Sequence, residues 1–148
     1  VWGSGRVGVR LSPYGIFNDM SDSDPVALFS YVLSQLSARS IAFVDLIEPR
    51  ASSAGSGDIV LEDRPDVAEL FRNIFSGILI SAGGYTPDTA AESVTAGKVD
   101  AVSFGRLFIA NPDLPSRIAA HAPLNRYDRS TFYGEGEKGY TDYPKLAE

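Results

Sequence analysis

Short apolar runs alternate with amphipathic stretches along most of the chain. Arg6-Val7-Gly8-Val9-Arg10-Leu11-Ser12-Pro13 reads as a strand stopped by proline, and Asp24-Pro25 opens a helix with aspartate as N-cap and proline at the first helical position. In that helix Leu28, Phe29, Val32, Leu33 and Leu36 recur at helical spacing. The run Ile41-Ala42-Phe43-Val44-Asp45-Leu46-Ile47-Glu48 is a mostly apolar second strand. A loop rich in Ser and Gly, residues 51–58, leads to a second helix beginning near Pro65, with Val67, Leu70, Phe71 and Ile74 on one face. Gly77-Ile78-Leu79-Ile80-Ser81-Ala82 is the third strand. Its helix is capped at Thr86-Pro87 and stopped at Gly97. The fourth unit is Ala101-Val102-Ser103-Phe104, then Gly105-Arg106, then a helix capped at Asn111-Pro112. Residues 121–148 are rich in Tyr, Gly and charge and show no clear periodicity.

Strands nearly continuous in apolar residues, each followed by an amphipathic helix, predict a parallel α/β sheet buried on both faces. Four such βα units, over residues 1–120, fit either an open doubly wound sheet or half of a (βα)8 TIM barrel with outer helices. In barrels a phosphate site is built by the loops after the last two strands. Gly83-Gly84 and Gly105-Arg106 follow the last two strands here, which favours the barrel and makes these its strands 5–8.

The net charge of −6 argues against a broad nucleic-acid or anionic-membrane surface, yet leaves room for a local cationic pocket. The chain has no cysteine, so disulfides and thiolate metal sites are excluded. No apolar run approaches the roughly 20 residues of a membrane helix. Val1-Trp2-Gly3-Ser4-Gly5 has neither the basic nor the apolar region of a signal peptide. A cytoplasmic protein is expected. The chain enters its first strand after only five residues, which suggests a piece of something longer.

In a βα fold, functional groups collect at the carboxyl ends of the strands. Those positions hold Arg10 and Ser12, then Glu48 and Arg50, then Ala82-Gly83-Gly84-Tyr85, then Phe104-Gly105-Arg106. Gly83-Gly84 lets backbone amides approach an anion with no Cβ in the way. Gly105-Arg106 repeats the device and adds a fixed cation suited to bidentate phosphate bonding. The alternative is a pair of tight turns with a surface arginine. Arg10 ends a strand at the barrel mouth, where an unpaired charge is costly. It either stabilises negative charge on a bound group or forms an internal ion pair with Glu48 or Asp45. His121 is the only histidine, so no multi-histidine metal site forms and no metal is expected. Asp19, Asp22 and Asp24 read as a capping cluster rather than an acid–base pair.

The segments Val9-Arg10-Leu11-Ser12-Pro13, Phe17-Asn18-Asp19, Ala82-Gly83-Gly84-Tyr85, the run from Phe104-Gly105-Arg106 through Phe108-Ile109-Ala110-Asn111-Pro112-Asp113-Leu114, Ser130-Thr131-Phe132-Tyr133-Gly134 and Gly139-Tyr140-Thr141-Asp142-Tyr143-Pro144 resemble Old Yellow Enzymes. The branch they resemble includes N-ethylmaleimide reductase and pentaerythritol tetranitrate reductase. The resemblance spans nearly the whole chain and is most specific from Phe104 to Leu114 and in the Phe-Tyr-Gly tail.

That resemblance implies the C-terminal half of an FMN-binding barrel whose family reduces activated C=C bonds (enones, maleimides and nitro compounds) with NAD(P)H. Arg10 matches the arginine facing the flavin N1/O2 region, where its charge favours the anionic reduced flavin. Ala82, Gly83, Gly84, Phe104, Gly105 and Arg106 match flavin contacts, the glycines and Arg106 at the phosphate. Phe132 and Tyr133 match aromatics flanking flavin and substrate, with residues 121–148 closing over the mouth. Asn18 stands near the substrate end, where relatives often carry glutamine. No catalytic residue is assigned to this chain, because the family's substrate-anchoring His/His or His/Asn pair and its proton-donating tyrosine lie in the fourth-strand region, which the chain does not contain. The implied partners are an N-terminal half on a separate chain, left by cleavage, gene splitting or permutation, and a small electrophilic alkene. The other reading is a stand-alone half-barrel that binds a phosphate ligand without redox activity. Neither involves nucleic acid or membrane.

Overall fold

A computed structural model describes residues 2–51 and 63–146; from residue 52 onward the expected Ser- and Gly-rich loop lies outside the described residues. The regular elements are β1 (Gly8–Leu11), α1 (Pro25–Ala38), β2 (Phe43–Ile47), α2 (Val67–Phe71), β3 (Ile78–Ala82), α3 (Pro87–Thr95), β4 (Ala101–Ser103), α4 (Arg106–Ala110) and α5 (Leu114–Ala119). The chain divides into two compact units, Val1–Ser103 and Phe104–Glu148.

The first unit is a four-stranded sheet in the order β1-β2-β3-β4, with every pair parallel. A doubly wound sheet reverses its strand order at a switch point, whereas a barrel adds each new strand beside the last. The wholly sequential order is that of a barrel segment.

The helices begin and end for local reasons. Asp24 accepts a hydrogen bond from the Ala27 amide at 3.0 Å and Pro25 occupies the first turn, while Asp22 takes the Asp24 amide at 2.8 Å. Two of the three clustered aspartates therefore shape a turn and a cap. Thr86 and Thr89 form a reciprocal capping box ahead of α3. At the other end Gly97, with φ +70, lets its amide reach Val94 O and the Lys98 amide reach Ser93 O, a Schellman stop. The second helix starts at Val67 with Asp66 as N-cap, two residues later than expected at Pro65, and is only five residues long.

The two faces of the sheet differ. Val9, Val44 and Leu79 stand in register on one face, as do Leu11, Leu46 and Ser81. That face carries the core, in which Leu33 of α1, Val67, Ala68 and Phe71 of α2, and Phe75 join Val44, Leu46 and Leu79. Phe29 and Leu36, one helical turn either side of Leu33, pack against the same cluster. The opposite face presents Arg10, Phe43, Asp45, Ile78 and Ile80. In a closed barrel it would face inward. Here Phe43 is 37% and Ile78 54% exposed. Large apolar residues left open on one sheet face mark a surface that further structure covers.

In the second unit the expected helix capped at Asn111-Pro112 is instead two helices, α4 and α5, the latter opening at Asp113 with Pro115 in its first turn. Asn111 is fully buried and, instead of opening α5, ends α4: its side-chain amide donates to Leu107 O and Asn125 O and its side-chain carbonyl accepts the Asn125 backbone amide at 2.7 Å. Arg117 is the second anchor. It donates to Asp113 at 2.8 Å, to Pro123 O at 2.7 Å and to Pro144 O at 2.8 Å. Asp113 in turn accepts the Leu146 amide at 2.6 Å. The tail that shows no apolar periodicity is thus held by a polar hub.

Arg117→Leu, which removes three donations from a buried cation, is expected to destabilise this unit by roughly 2–4 kcal/mol. Hydrogen exchange checks it: the Asn125 and Leu146 amides should lose protection while sheet amides keep theirs. The Leu146 amide and then Arg117 hold the Asp113 carboxyl below its ordinary value of 3.8. A depressed folded-state pKa gives stability that is present above the unfolded value and lost as pH falls through the folded one. The tether is therefore expected to loosen on acidification below about 3.8.

Candidate functional site

Arg10 and Asp45 occupy paired positions on β1 and β2 and project from the same sheet face. Arg10 Nε and Nη2 donate to a single carboxylate oxygen, Asp45 Oδ2, at 3.0 and 2.6 Å. The partners differ sharply in exposure: the side chain of Arg10 is 59% open and that of Asp45 only 8%. Asp45 Oδ1 is buried and has no hydrogen-bond partner among the described residues. Of the two carboxylates considered for Arg10, the structure chooses Asp45.

Glu48 is engaged elsewhere. It is fully buried and accepts the Val67 and Ala68 amides at 2.9 and 3.0 Å and the Ser81 hydroxyl at 3.0 Å. These are the first free amides of α2, so Glu48, at the end of β2, closes that helix from 19 and 20 residues earlier in the chain. Burial pushes its carboxyl above the ordinary value, and the two amides pull it partly back. The reading of Glu48 as an ion-pair partner of Arg10 is corrected on this ground.

At the carboxyl end of β3, Gly83 and Gly84 both have positive φ, +105 and +69. A Cβ on Gly83 would stand 3.0 Å from Glu48 O and 3.4 Å from Glu48 N. The position therefore demands glycine for backbone approach as well as for conformation. Ala82 O accepts the Glu48 amide at 2.8 Å. Arg50 donates to Gly83 O at 3.2 Å and lies 4.3 Å from the centre of the Tyr85 ring, so this strand-end cation braces the turn.

Asn18 lies exposed in a single 3-10 turn, Phe17–Asp19, at φ +56 and is followed by Asp19 at φ +57. Two consecutive left-handed residues that are not glycine are uncommon, and Asn and Asp tolerate the conformation best.

In the second unit Phe104 follows β4, Gly105 heads α4, and apart from its chain neighbours and its own helix backbone no atom of the described residues lies within 4 Å of where a Cβ on Gly105 would stand. Arg106 opens the helix with its guanidinium 5.9 Å from the Tyr127 ring centre, and Arg129 sits 5.8 Å from the same ring. Phe132 packs on Tyr127 with ring centres 5.7 Å apart, whereas Tyr133 is 80% exposed. His121 is exposed at a turn with φ +50. Among the described residues no group of three or more His, Asp or Glu is placed to hold a metal. None of their helices is long and apolar enough to cross a membrane.

Sequence reasoning held Asp45 only as one of two alternative partners for Arg10, took Asn111 for a helix cap, and missed Arg117 altogether. The one available signal for Asp45 was a charge inside the otherwise apolar Phe43–Ile47 strand, because a buried carboxylate requires a partner.

Comparison with known proteins supplies the context. The profile of the NADH:flavin oxidoreductase / NADH oxidase family matches residues 1–125. The chain is 47% identical to 12-oxophytodienoate reductase 1 of Oryza sativa subsp. japonica over 99% of its own length and 38% of that protein's. It is 42% identical to 12-oxophytodienoate reductase 2 of Arabidopsis thaliana, over 97% and 38%. Among solved structures it superposes on morphinone reductase in complex with tetrahydroNAD with a TM-score of 0.86 and 40% identity, covering 99% of this chain and 38% of that one. The chain spans less than two fifths of the length of these relatives, and its sheet corresponds to part of their (βα)8 barrel.

Proposed function

Since this chain belongs to the NADH:flavin oxidoreductase / NADH oxidase family, the Old Yellow Enzymes, we propose that it forms one part of the FMN site of an NAD(P)H-dependent ene-reductase. The family's cofactor is FMN and its reductant NAD(P)H. We assign the chain to strands 5–8 of the barrel, in the branch of N-ethylmaleimide and pentaerythritol tetranitrate reductases, and the enzyme to the cytoplasm. The remaining strands, from another chain or another segment of the same protein, complete it. Its substrates are small electrophilic alkenes.

One observation carries this reading: a cation more than half exposed, fixed on the sheet face that would line a barrel interior. Arg10 Nη1 makes no hydrogen bond among the described residues, so the guanidinium still has donors for a ligand. The open space at Gly105 likewise suits close approach by a bulky group. These residues fit FMN, which when bound supplies hydride-transfer chemistry. Arg10 would face the flavin N1/O2 edge and favour negative charge there. Ala82, Gly83 and Gly84, and in the second unit Phe104, Gly105 and Arg106, would contact the cofactor, with amides and the guanidinium serving its phosphate. Phe132 would flank the ring, and Asn18 and the exposed Tyr133 would meet substrate. The groups that anchor the alkene and donate its proton come from the remaining strands.

Arg106 provides the test. Arg106→Ala in the completed protein should remove a charge-assisted contact of roughly 1.5–3 kcal/mol. FMN should then bind about tenfold to a hundredfold more weakly. Riboflavin, which lacks the phosphate, should be nearly unaffected. Equal weakening of both flavins in titration calorimetry would mean that Arg106 acts through the fold.

A further inference from the structure

Resting on the reading of Arg10 as a flavin contact, we propose that Asp45 is a positioning residue that fixes the Arg10 guanidinium and sets how much of its charge the flavin experiences. Arg10 and Asp45 are cross-strand partners on adjacent parallel strands, so their side chains leave the same face side by side. The carboxylate is more than nine-tenths buried and the guanidinium mostly open. Asp45 is therefore the fixed member of the pair and Arg10 the presented one.

The contact is lopsided in a way that matters. Both donations, from Nε at 3.0 Å and Nη2 at 2.6 Å, converge on Oδ2, while Oδ1 has no partner among the described residues. The carboxylate spends its charge on no other cation or donor described, so its whole compensation falls on Arg10. Seen from a ligand beyond the guanidinium, the pair is a short dipole with its positive end forward, and the potential of such a dipole falls off faster than that of a lone cation. Arg10 still favours negative charge on the ligand, but less than an uncompensated guanidinium would. Charge beside a flavin is one of the ways a protein tunes that cofactor.

The structural alternative is that Asp45 merely holds β1 to β2. It forecasts a lowered melting point and an unchanged flavin. The two are separated by redox titration of the completed, flavin-loaded protein, comparing wild type with Asp45→Asn and Arg10→Met. Asn matches Asp in size and keeps an acceptor oxygen for the guanidinium but carries no charge. Asp45→Asn is expected to raise the reduction potential, shifting the balance of reduced over oxidised flavin by about tenfold, or ~30 mV for a two-electron couple. Arg10→Met is expected to shift it the other way. Should Asp45→Asn not fold, Asp45→Ser, which also removes the charge, takes its place with the same expected sign.

An unchanged or lowered potential in the Asp45 variant, beside a lowered one in Arg10→Met, overturns the inference and leaves the flavin reading intact. A raised potential in the Asp45 variant with none lost in Arg10→Met means that Asp45 does not act through Arg10, and overturns it as well. A completed wild-type protein that binds no FMN overturns the flavin reading itself, and the inference with it.

Discussion

Glu48→Ala is expected to destabilise the completed protein by about 3–5 kcal/mol, because it strips the acceptor from two buried helix amides and a buried hydroxyl and leaves a cavity. Those groups are the Val67 and Ala68 amides and the Ser81 hydroxyl, which in turn accepts the Tyr85 hydroxyl at 3.1 Å. Urea unfolding measures the loss, and one below about 1 kcal/mol would contradict the assignment. The conservative variant adds a pH signature. Burial raises the Glu48 carboxyl above its ordinary 4.5. A carboxyl whose folded-state pKa is raised contributes stability that is complete below the unfolded value and is lost as pH rises through the folded one. The stability difference between wild type and Glu48→Gln should therefore be largest below about pH 4.5 and shrink above it. Asp100, Asp113 and Asp128 titrate with depressed values in both proteins, so their opposite trend cancels in the difference.

Arg10→Met should produce two changes together. Removal of the guanidinium leaves the Asp45 carboxylate buried with neither oxygen paired among the described residues, costing about 1–3 kcal/mol. Met keeps a similar apolar stem, so little packing is lost. The flavin potential should fall by some tens of millivolts, where about 30 mV corresponds to roughly 1.4 kcal/mol for two electrons. An ion pair alone predicts only the lowered melting temperature. Redox titration beside thermal unfolding reads both, and an unaltered potential would confine Arg10 to the scaffold.

The elements whose logic is local were legible in the sequence. Asp24-Pro25, Thr86-Pro87 and Gly97 cap or stop helices with groups a few residues away, and the apolar strands needed only their composition. Arrangements that depend on distant partners were not. Glu48 looked like a strand-end charge, and nothing near it in sequence shows that its partners are amides 19 and 20 residues on. Asn111 looked like a helix cap because Asn-Pro is a common start signal, yet its amide is spent on Asn125. The tail was opaque because hydrogen bonds from Arg117 and Asn125 hold it, and hydrophobic periodicity does not record them. For the site, the candidates came from strand ends and family resemblance. The Arg10–Asp45 pair stood among the alternatives, and register decided it.

Flavin content separates a barrel segment from a self-sufficient flavoprotein. The chain, taken as a barrel segment with Phe43 and Ile78 open on the inward face, should bind no FMN alone and should self-associate through that face and its free strand edges. Mixed with the remaining strands of the barrel, it should yield a yellow complex. Absorbance of the purified species, with protein concentration measured independently, gives the ratio. A colourless, poorly soluble chain by itself and one flavin per complex after completion are the expected results. A soluble, monomeric 148-residue chain carrying stoichiometric FMN would contradict them.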